Sequence, residues 1–194
     1  MKQIKFTDGC PNKCDYCDEP KVTPKFYEPE IPPDKEVGIL DMNFLSNPKA
    51  KEILFNLPNN RHYEFICGVD YRRLDWTIVK LLYDKGFKKI RWAWDYNFSQ
   101  QKTHKKVLEM FVNAGYKPKE LSVFMILNWK IPFVECCQKL DLLKVWNVKV
   151  NDCCWPGGYK QAKPVHWTPE QIKKFRHMCR KHNQMVLFGI DPEY

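Results

Sequence analysis

No stretch of this chain approaches the 18 consecutive apolar residues that a membrane-crossing helix needs. The N-terminus opens on a charged, alternating stretch and lacks the basic-then-apolar pattern of a secretory leader, so the expectation is a soluble, cytoplasmic protein with no membrane partner. No sequence repeat is present. Beyond Cys17 there is no nearby second C-x2-C or H-x3-5-H spacing of the kind that completes a zinc site; the next candidates are His62 and Cys67. Length is also short. At 194 residues, 44% hydrophobic and 14% aromatic, the chain can fill one well-packed core but not two large ones, so residues 1–194 are expected to form a single domain. Nine cysteines without a leader point to a reducing compartment rather than to a disulfide scaffold.

What is present is a dense N-terminal stretch, Thr7-Asp8-Gly9-Cys10-Pro11-Asn12-Lys13-Cys14-Asp15-Tyr16-Cys17, directly after an alternating run, Ile4 to Thr7, that reads as a strand. Its three thiols stand at C-x3-C-x2-C spacing. One loop with three thiolates can occupy three irons of a cubic [4Fe–4S] cluster and leave the fourth open to an outside ligand, whereas ferredoxin clusters are closed by four thiolates. Structural zinc and unliganded thiols are the other two readings; a disulfide framework is disfavoured by the odd count.

This spacing, with Tyr16 just before the last cysteine, resembles the signature of the radical S-adenosylmethionine (radical SAM) enzymes. The resemblance implies a [4Fe–4S] cluster on Cys10, Cys14 and Cys17, with the amino and carboxylate groups of SAM on the open iron. It further implies reductive cleavage of SAM to a 5′-deoxyadenosyl radical, and an electron donor such as flavodoxin or ferredoxin.

Along the chain, five prolines between residues 18 and 35 exclude a helix interior there. Val37–Leu40, Tyr63–Val69, Lys89–Trp94, Leu121–Leu127 and Val145–Val150 then read as strands. Helical patterns lie between them: one from Asn47-Pro48 to Pro58, then Leu74–Lys85, Thr103–Asn113 and Pro132–Leu143. Thr168-Pro169-Glu170-Gln171 predicts a capped helix to about His182, with Val186–Ile190 as a short final strand. Six strands at this rhythm are α/β in class. An open doubly wound sheet fits the rhythm as well. The family resemblance implies the partial (βα)6 barrel over about residues 1–160, with the C-terminal helix and short strand in 161–194 and almost no room for an auxiliary domain.

In parallel α/β folds ligands collect at the C-terminal strand ends, which makes the polar residues there candidates. Asp41, Met42 and Asn43 stand where the family holds the SAM amino group, although their letters differ from its common Gly-Gly-Glu. Asp70 and Arg72 offer a ribose acceptor and a carboxylate partner, and Asn128 ends the fifth strand. Arg91 and Asp95 share one strand face while Trp92 and Trp94 share the other, so tryptophans packed under helices would turn Arg91 and Asp95 inward. Such a buried pair serves either a bound polar ligand or an internal ion pair. Tyr16 is the family's usual neighbour of the adenine. Cys153 and Cys154, after the sixth strand, are candidates for hydrogen-atom donation, sulfur carriage or a second cluster, against inert burial.

The formal charge of +9 favours an anionic partner, and RNA is the substrate class it points toward; solvated helix faces are the plainer reading. Two other functional classes stay open. One is a zinc-stabilised nucleic-acid-binding module using the basic helix from Pro169 to Arg180. The other is a cluster protein that only relays electrons.

Overall fold

The computed structural model describes residues 1–17, 22–156 and 163–189. The chain divides into two compact units, Met1–Trp92 with Val107–Tyr116, and Ala93–Lys106 with Lys117–Tyr194.

In the first unit, β1 (Lys2–Ile4), β4 (Glu36–Ile39) and β5 (His62–Phe65) form a parallel sheet in the order β1-β4-β5, with Ile4 level with Ile39 and Ile39 level with Phe65. β2 (Thr7–Asp8) and β3 (Lys25–Phe26) pair antiparallel as a separate ribbon, which pinches together the base of the loop carrying Cys10, Cys14 and Cys17. The long parallel crossover from β4 to β5 holds α1 (Ala50–Asn56). Its helix starts later than Asn47-Pro48 suggests, because the Asn47 side chain accepts from Lys49 N–H and so closes a turn ahead of it. After β5, α2 (Trp76–Asp84) is capped by Asp75, whose carboxylate accepts from Ile78 N–H. The turn beyond it requires Gly86: its φ is +77°, and a Cβ there would lie 2.5 Å from the Arg61 carbonyl oxygen.

The core of this unit is aromatic. Phe44 packs on Phe65 and Phe65 on Phe87, with ring centroids 5.1 and 4.6 Å apart, and Tyr63, Phe87 and Trp92 are all almost fully buried. Parallel bridges place Phe87 beside Tyr63 and Trp92 beside Val69, so the chain returns alongside β5. Glu64, pointing away from the Tyr63 and Phe65 face, receives hydrogen bonds from Lys89 and Arg91.

β6 (Arg91–Ala93) carries the chain into the second unit, where β7 (Ser122–Leu127) and β8 (Lys149–Cys154) run parallel with Leu127 level with Cys154. Trp94 N–H donates to Phe124 O at 2.8 Å. α3 (Gln101–Ala114) contributes its first half to this unit and its second half to the first unit. The expected tryptophan packing holds: Trp92 stacks on Phe111 of α3 at 5.8 Å and Trp94 on His104 at 4.6 Å.

In the second unit two boundaries depart furthest from the sequence pattern, while in the first the expected strand Ile4–Thr7 is split between β1 and β2 and the expected Tyr63–Val69 ends at Phe65. α4 (Phe133–Trp146) takes up Val145 and Trp146, which read as strand, and stops only at Asn147, whose left-handed backbone (φ +57°) ends the helix. The last strand therefore starts at Lys149, and Cys153 and Cys154 are its final residues rather than its successors. α5 (Pro169–Phe188) runs through Val186 to Gly189, because no breaker precedes that glycine. This replaces the short strand expected at Val186–Ile190; Ile190 itself lies outside the described residues.

Among the described residues the strands form two three-stranded sheets and one ribbon, not a closed barrel, and no helix is long and apolar enough to cross a membrane. The architecture is mixed α/β with parallel sheets.

Two stability outcomes follow from these elements. The Thr168 hydroxyl accepts from Gln171 N–H and the Gln171 side chain accepts from Thr168 N–H, a complete capping box. Thr168→Ala should cost about 1 kcal/mol in a denaturant titration. His104 is fully buried against Trp94, and desolvation, reinforced by the Lys139 charge, pushes its pKa down to about 3. As pH falls from 6.5 toward 3, the unfolded chain binds a proton that the folded chain refuses, so stability drops across that window by ~1.4 kcal/mol per pKa unit. In His104→Phe the slope of unfolding free energy against pH should flatten between those limits.

Candidate cofactor site at the cysteine loop

Cys10, Cys14 and Cys17 are half-buried thiols outside any disulfide, on the loop that the β2–β3 ribbon closes, and Cys17 N–H donates to Cys14 O at 3.2 Å to close a turn between them. Tyr16 lies half-buried on the same turn. The loop is tied to the strand ends by one carboxylate. Asp70, just past β5, accepts from Asn12 Nδ2 at 3.0 Å, from Asn43 Nδ2 at 3.1 Å, and from Arg72 through Nε at 2.7 Å and a terminal nitrogen at 3.0 Å. Burial alone would raise the Asp70 carboxyl, but the hydrogen bonds from Arg72 and Asn12 hold it below the usual carboxylate range. Arg72 is held charged first by Asp70, with the Cys14 side chain near enough to add to the effect.

Asn43 is only 2% exposed. Its Nδ2 lies 3.7 Å from Cys10 Sγ as well as within reach of Asp70, and its Oδ1 is buried with no hydrogen-bond donor among the described residues. The amide orientation is dictated by its neighbours: a carboxylate and a sulfur both accept, so the NH2 must face them. Beside it, Met42 is exposed, while Asp41 turns into the interior, accepts from Phe6 N–H at 2.9 Å, and is pushed up to about 6 by its burial.

The other candidates divide between the two units. In the first, Arg91 pairs with Glu64, a partner that the sequence reading did not name. A lone carboxylate between Tyr63 and Phe65 was the available signal, since a charged residue flanked by buried aromatics asks for a counter-charge. In the second unit, Asn128 is fully buried with a left-handed backbone, φ +59°. Its Oδ1 accepts from the N–H groups of Val165, His166 and Trp167 at 3.0 to 3.3 Å, and its Nδ2 donates to the carbonyls of Trp155 and Lys163. Its polar atoms are thus engaged in holding residues 163–167 against the end of β7. Asp95 belongs to the same unit and is near enough to raise the Cys153 thiol.

Cys153 is an exposed residue, yet its sulfur is desolvated by surrounding protein, and with Asp95 and Asp152 nearby its pKa is pushed up to about 12. Cys154 is half-buried and likewise raised, by desolvation first. Both thiols therefore keep their protons at neutral pH. Lys139 is a further group missed in the sequence: almost fully buried on the Cys136–Leu140–Leu143 face of α4, it donates to Trp94 O at 3.1 Å and lies over the Trp94 ring. A lysine at i+3 from one core residue and next to another was its visible sign.

The donor set at the cysteine loop suits an iron–sulfur group. Three thiols come from one short loop, and the Asn43 amide N–H faces that of Cys10. Among the described residues no three His, Cys, Asp or Glu side chains converge as they would on a single metal ion. A cubic cluster is larger than one ion and spans thiols set further apart.

No family model matches the sequence, and no match emerges among curated proteins. Among solved structures the fold is similar to that of the radical SAM methyltransferase TsrM from Kitasatospora setae, a structure with cobalamin and a [4Fe–4S] cluster bound. The TM-score is 0.63 at 12% sequence identity, over 79% of this chain and 36% of that one. The likeness is one of fold, and this chain spans little more than a third of the length of that neighbour.

Proposed function

We propose that this chain is a radical SAM enzyme, built on the partial (βα)6 barrel of that family as a single core, with a [4Fe–4S] cluster on Cys10, Cys14 and Cys17. The observation that carries the reading is the Asp70 network, which binds the cysteine loop through Asn12, holds Asn43 against Cys10 and fixes Arg72 on the same carboxylate. When bound, such a cluster supplies the electron that cleaves SAM to methionine and the 5′-deoxyadenosyl radical, the agent of hydrogen abstraction.

The residues of the chain do the rest by binding and orientation. Arg72, fixed by its two-pronged grip on Asp70, offers its remaining N–H groups to a carboxylate. The free Oδ1 of Asn43 accepts from an ammonium, which gives one amino-acid head group two complementary partners. Tyr16 supplies an aromatic face for adenine, and Met42 an apolar neighbour. Asp41 anchors the backbone at Phe6, immediately before β2, and so fixes where the loop departs. Arg91, with Glu64, and Asp95 and Asn128 in the second unit, shape their own strand ends. The basic balance supports RNA as the substrate class; the family likeness supports flavodoxin or ferredoxin as the electron source, and the nine cysteines with an oxygen-sensitive cluster support a reducing, cytoplasmic site of action.

Anaerobic reconstitution with iron and sulfide, then dithionite and SAM, should yield 5′-deoxyadenosine. About one zinc per chain with no iron would overturn the reading in favour of a binding module. An intact cluster that neither binds nor cleaves SAM would leave an electron relay instead. Cys10→Ala, Cys14→Ala and Cys17→Ala should each abolish both the brown absorbance and SAM cleavage; a normal cluster in any one of them would refute that ligand.

Cys153 and Cys154 carry protonated thiols, the form that gives up a hydrogen atom. Replacing both by Ala should preserve the cluster and SAM cleavage while stopping or diverting substrate turnover. Loss of about four irons per chain would instead mark a second cluster. Unchanged product and iron content would remove both residues from the chemistry.

A further inference from the structure

Asn43 does not sit beside Cys10 by the accident of packing. Its amide is almost wholly buried, its NH2 is shared between Cys10 Sγ at 3.7 Å and Asp70 Oδ2 at 3.1 Å, and Asp70 is in turn fixed by Asn12 at 3.0 Å and by both prongs of Arg72. Asn12 lies two residues after Cys10, on the same loop. The network therefore forms a ring: loop backbone, Asn12, Asp70, Asn43 and back to the sulfur of Cys10. Each link constrains the next, and the 3.7 Å N···S approach is its closing contact.

We propose that Asn43 is the hydrogen-bond donor that tunes the reduction potential of the group on Cys10, and that Asp70 and Asn12 are positioning residues that hold it there. This rests on the reading of Cys10 as a cluster ligand and adds a role to residues that reading treats only as SAM contacts. Reduction adds negative charge to a cluster and spreads it onto its sulfur atoms. An N–H aimed at a ligand sulfur stabilises the reduced state more than the oxidised one and raises the potential. The geometry gives the donor no choice of orientation, because turning the amide over would set its oxygen against the Asp70 carboxylate. Asp70 thus orients the amide toward sulfur, while its own charge is matched by the two-pronged hydrogen bonds of Arg72. The oriented N–H favours the reduced cluster.

The test is an EPR-monitored redox titration of the reconstituted protein without SAM, so that no catalytic turnover enters the readout. Asn43→Leu keeps the branched shape and removes the N–H; its midpoint should move negative by the equivalent of a tenfold change in the reduction equilibrium, about 59 mV for one electron. Asn43→Ser, too short to reach both partners, should move it the same way and serves if the leucine variant fails to fold. Asn12→Ala should lower the potential by a smaller step, because it removes one tether of the carboxylate that orients the Asn43 amide without changing any charge. A purely structural role predicts poorer cluster loading but an unchanged midpoint in the loaded fraction, and that result in Asn43→Ser or Asn43→Leu overturns the proposal. Failure of the unmutated protein to hold any cluster would be a different failure, that of the ligand assignment itself.

Discussion

The geometry of the cysteine loop depends on one buried carboxylate. Asp70 sits just past the end of β5 with a side chain 7% exposed, and a charge in that position is costly unless its oxygens are fully engaged. Arg72 engages it from its own turn, while Asn12 and Asn43 reach it from two other segments far away in sequence. The local clamp makes the carboxylate affordable in the interior. The two amides convert it into a joint, so that the loop carrying the thiols and the ends of two parallel strands share one reference point. Without the guanidinium, the amides alone would leave an ion under-compensated; without the amides, the arginine pair would fix only its own turn.

The same accounting explains where the other polar residues at the strand ends went. Glu64 lies between Lys89 and Arg91, and the face behind it is filled by Tyr63 and Phe65. Asn128 is consumed by five backbone groups of the second unit, an arrangement that lets a segment without regular structure pack against β7 without orphaned N–H groups. Asp41 has Phe6 N–H as a partner but enough burial to lift its pKa, so part of its cost remains unmet near neutral pH. A residue at a strand end is therefore a candidate for ligand binding only after its obligations to its own backbone have been met.

Much of this was legible in the sequence, and the failures have physical causes. The hydrophobic rhythm located every long element, because alternating burial and helical spacing leave a direct imprint on residue order. The capping box at Thr168 and the Asp75 cap were readable for the same local reason. The boundary errors in the second unit arose where β-branched and aromatic residues sit inside helices: Trp146 stacks on Trp94 and Val186 is buried, so packing outweighed propensity there, exposed Val145 is carried along by the helix, and the true stops were left-handed residues at Asn147 and Gly189. The cysteine spacing marked the loop, and place in the fold marked Asn43, Asp70 and Arg72. What could not be read was pairing across distance. Arg91 with Glu64 and Asn12 with Asp70 are separated by 27 and 58 positions, and nothing in residue order announces such contacts.

Asn43 shares with Asp41 a buried oxygen that has no donor among the described residues, and of the two it is the one that reaches a cysteine sulfur. Its own donors serve that sulfur and a carboxylate. Leaving a buried carbonyl oxygen unsatisfied costs on the order of 1–3 kcal/mol, and a smaller or apolar residue would avoid that cost if packing were the only demand on the position. The proposed function would account for the arrangement. Under it the donors would face a thiolate-bound group that reduction makes more negative, and the acceptor an ammonium that brings its own N–H. Both ends of the amide would then be satisfied, and binding would regain the free energy that the buried oxygen costs in folding.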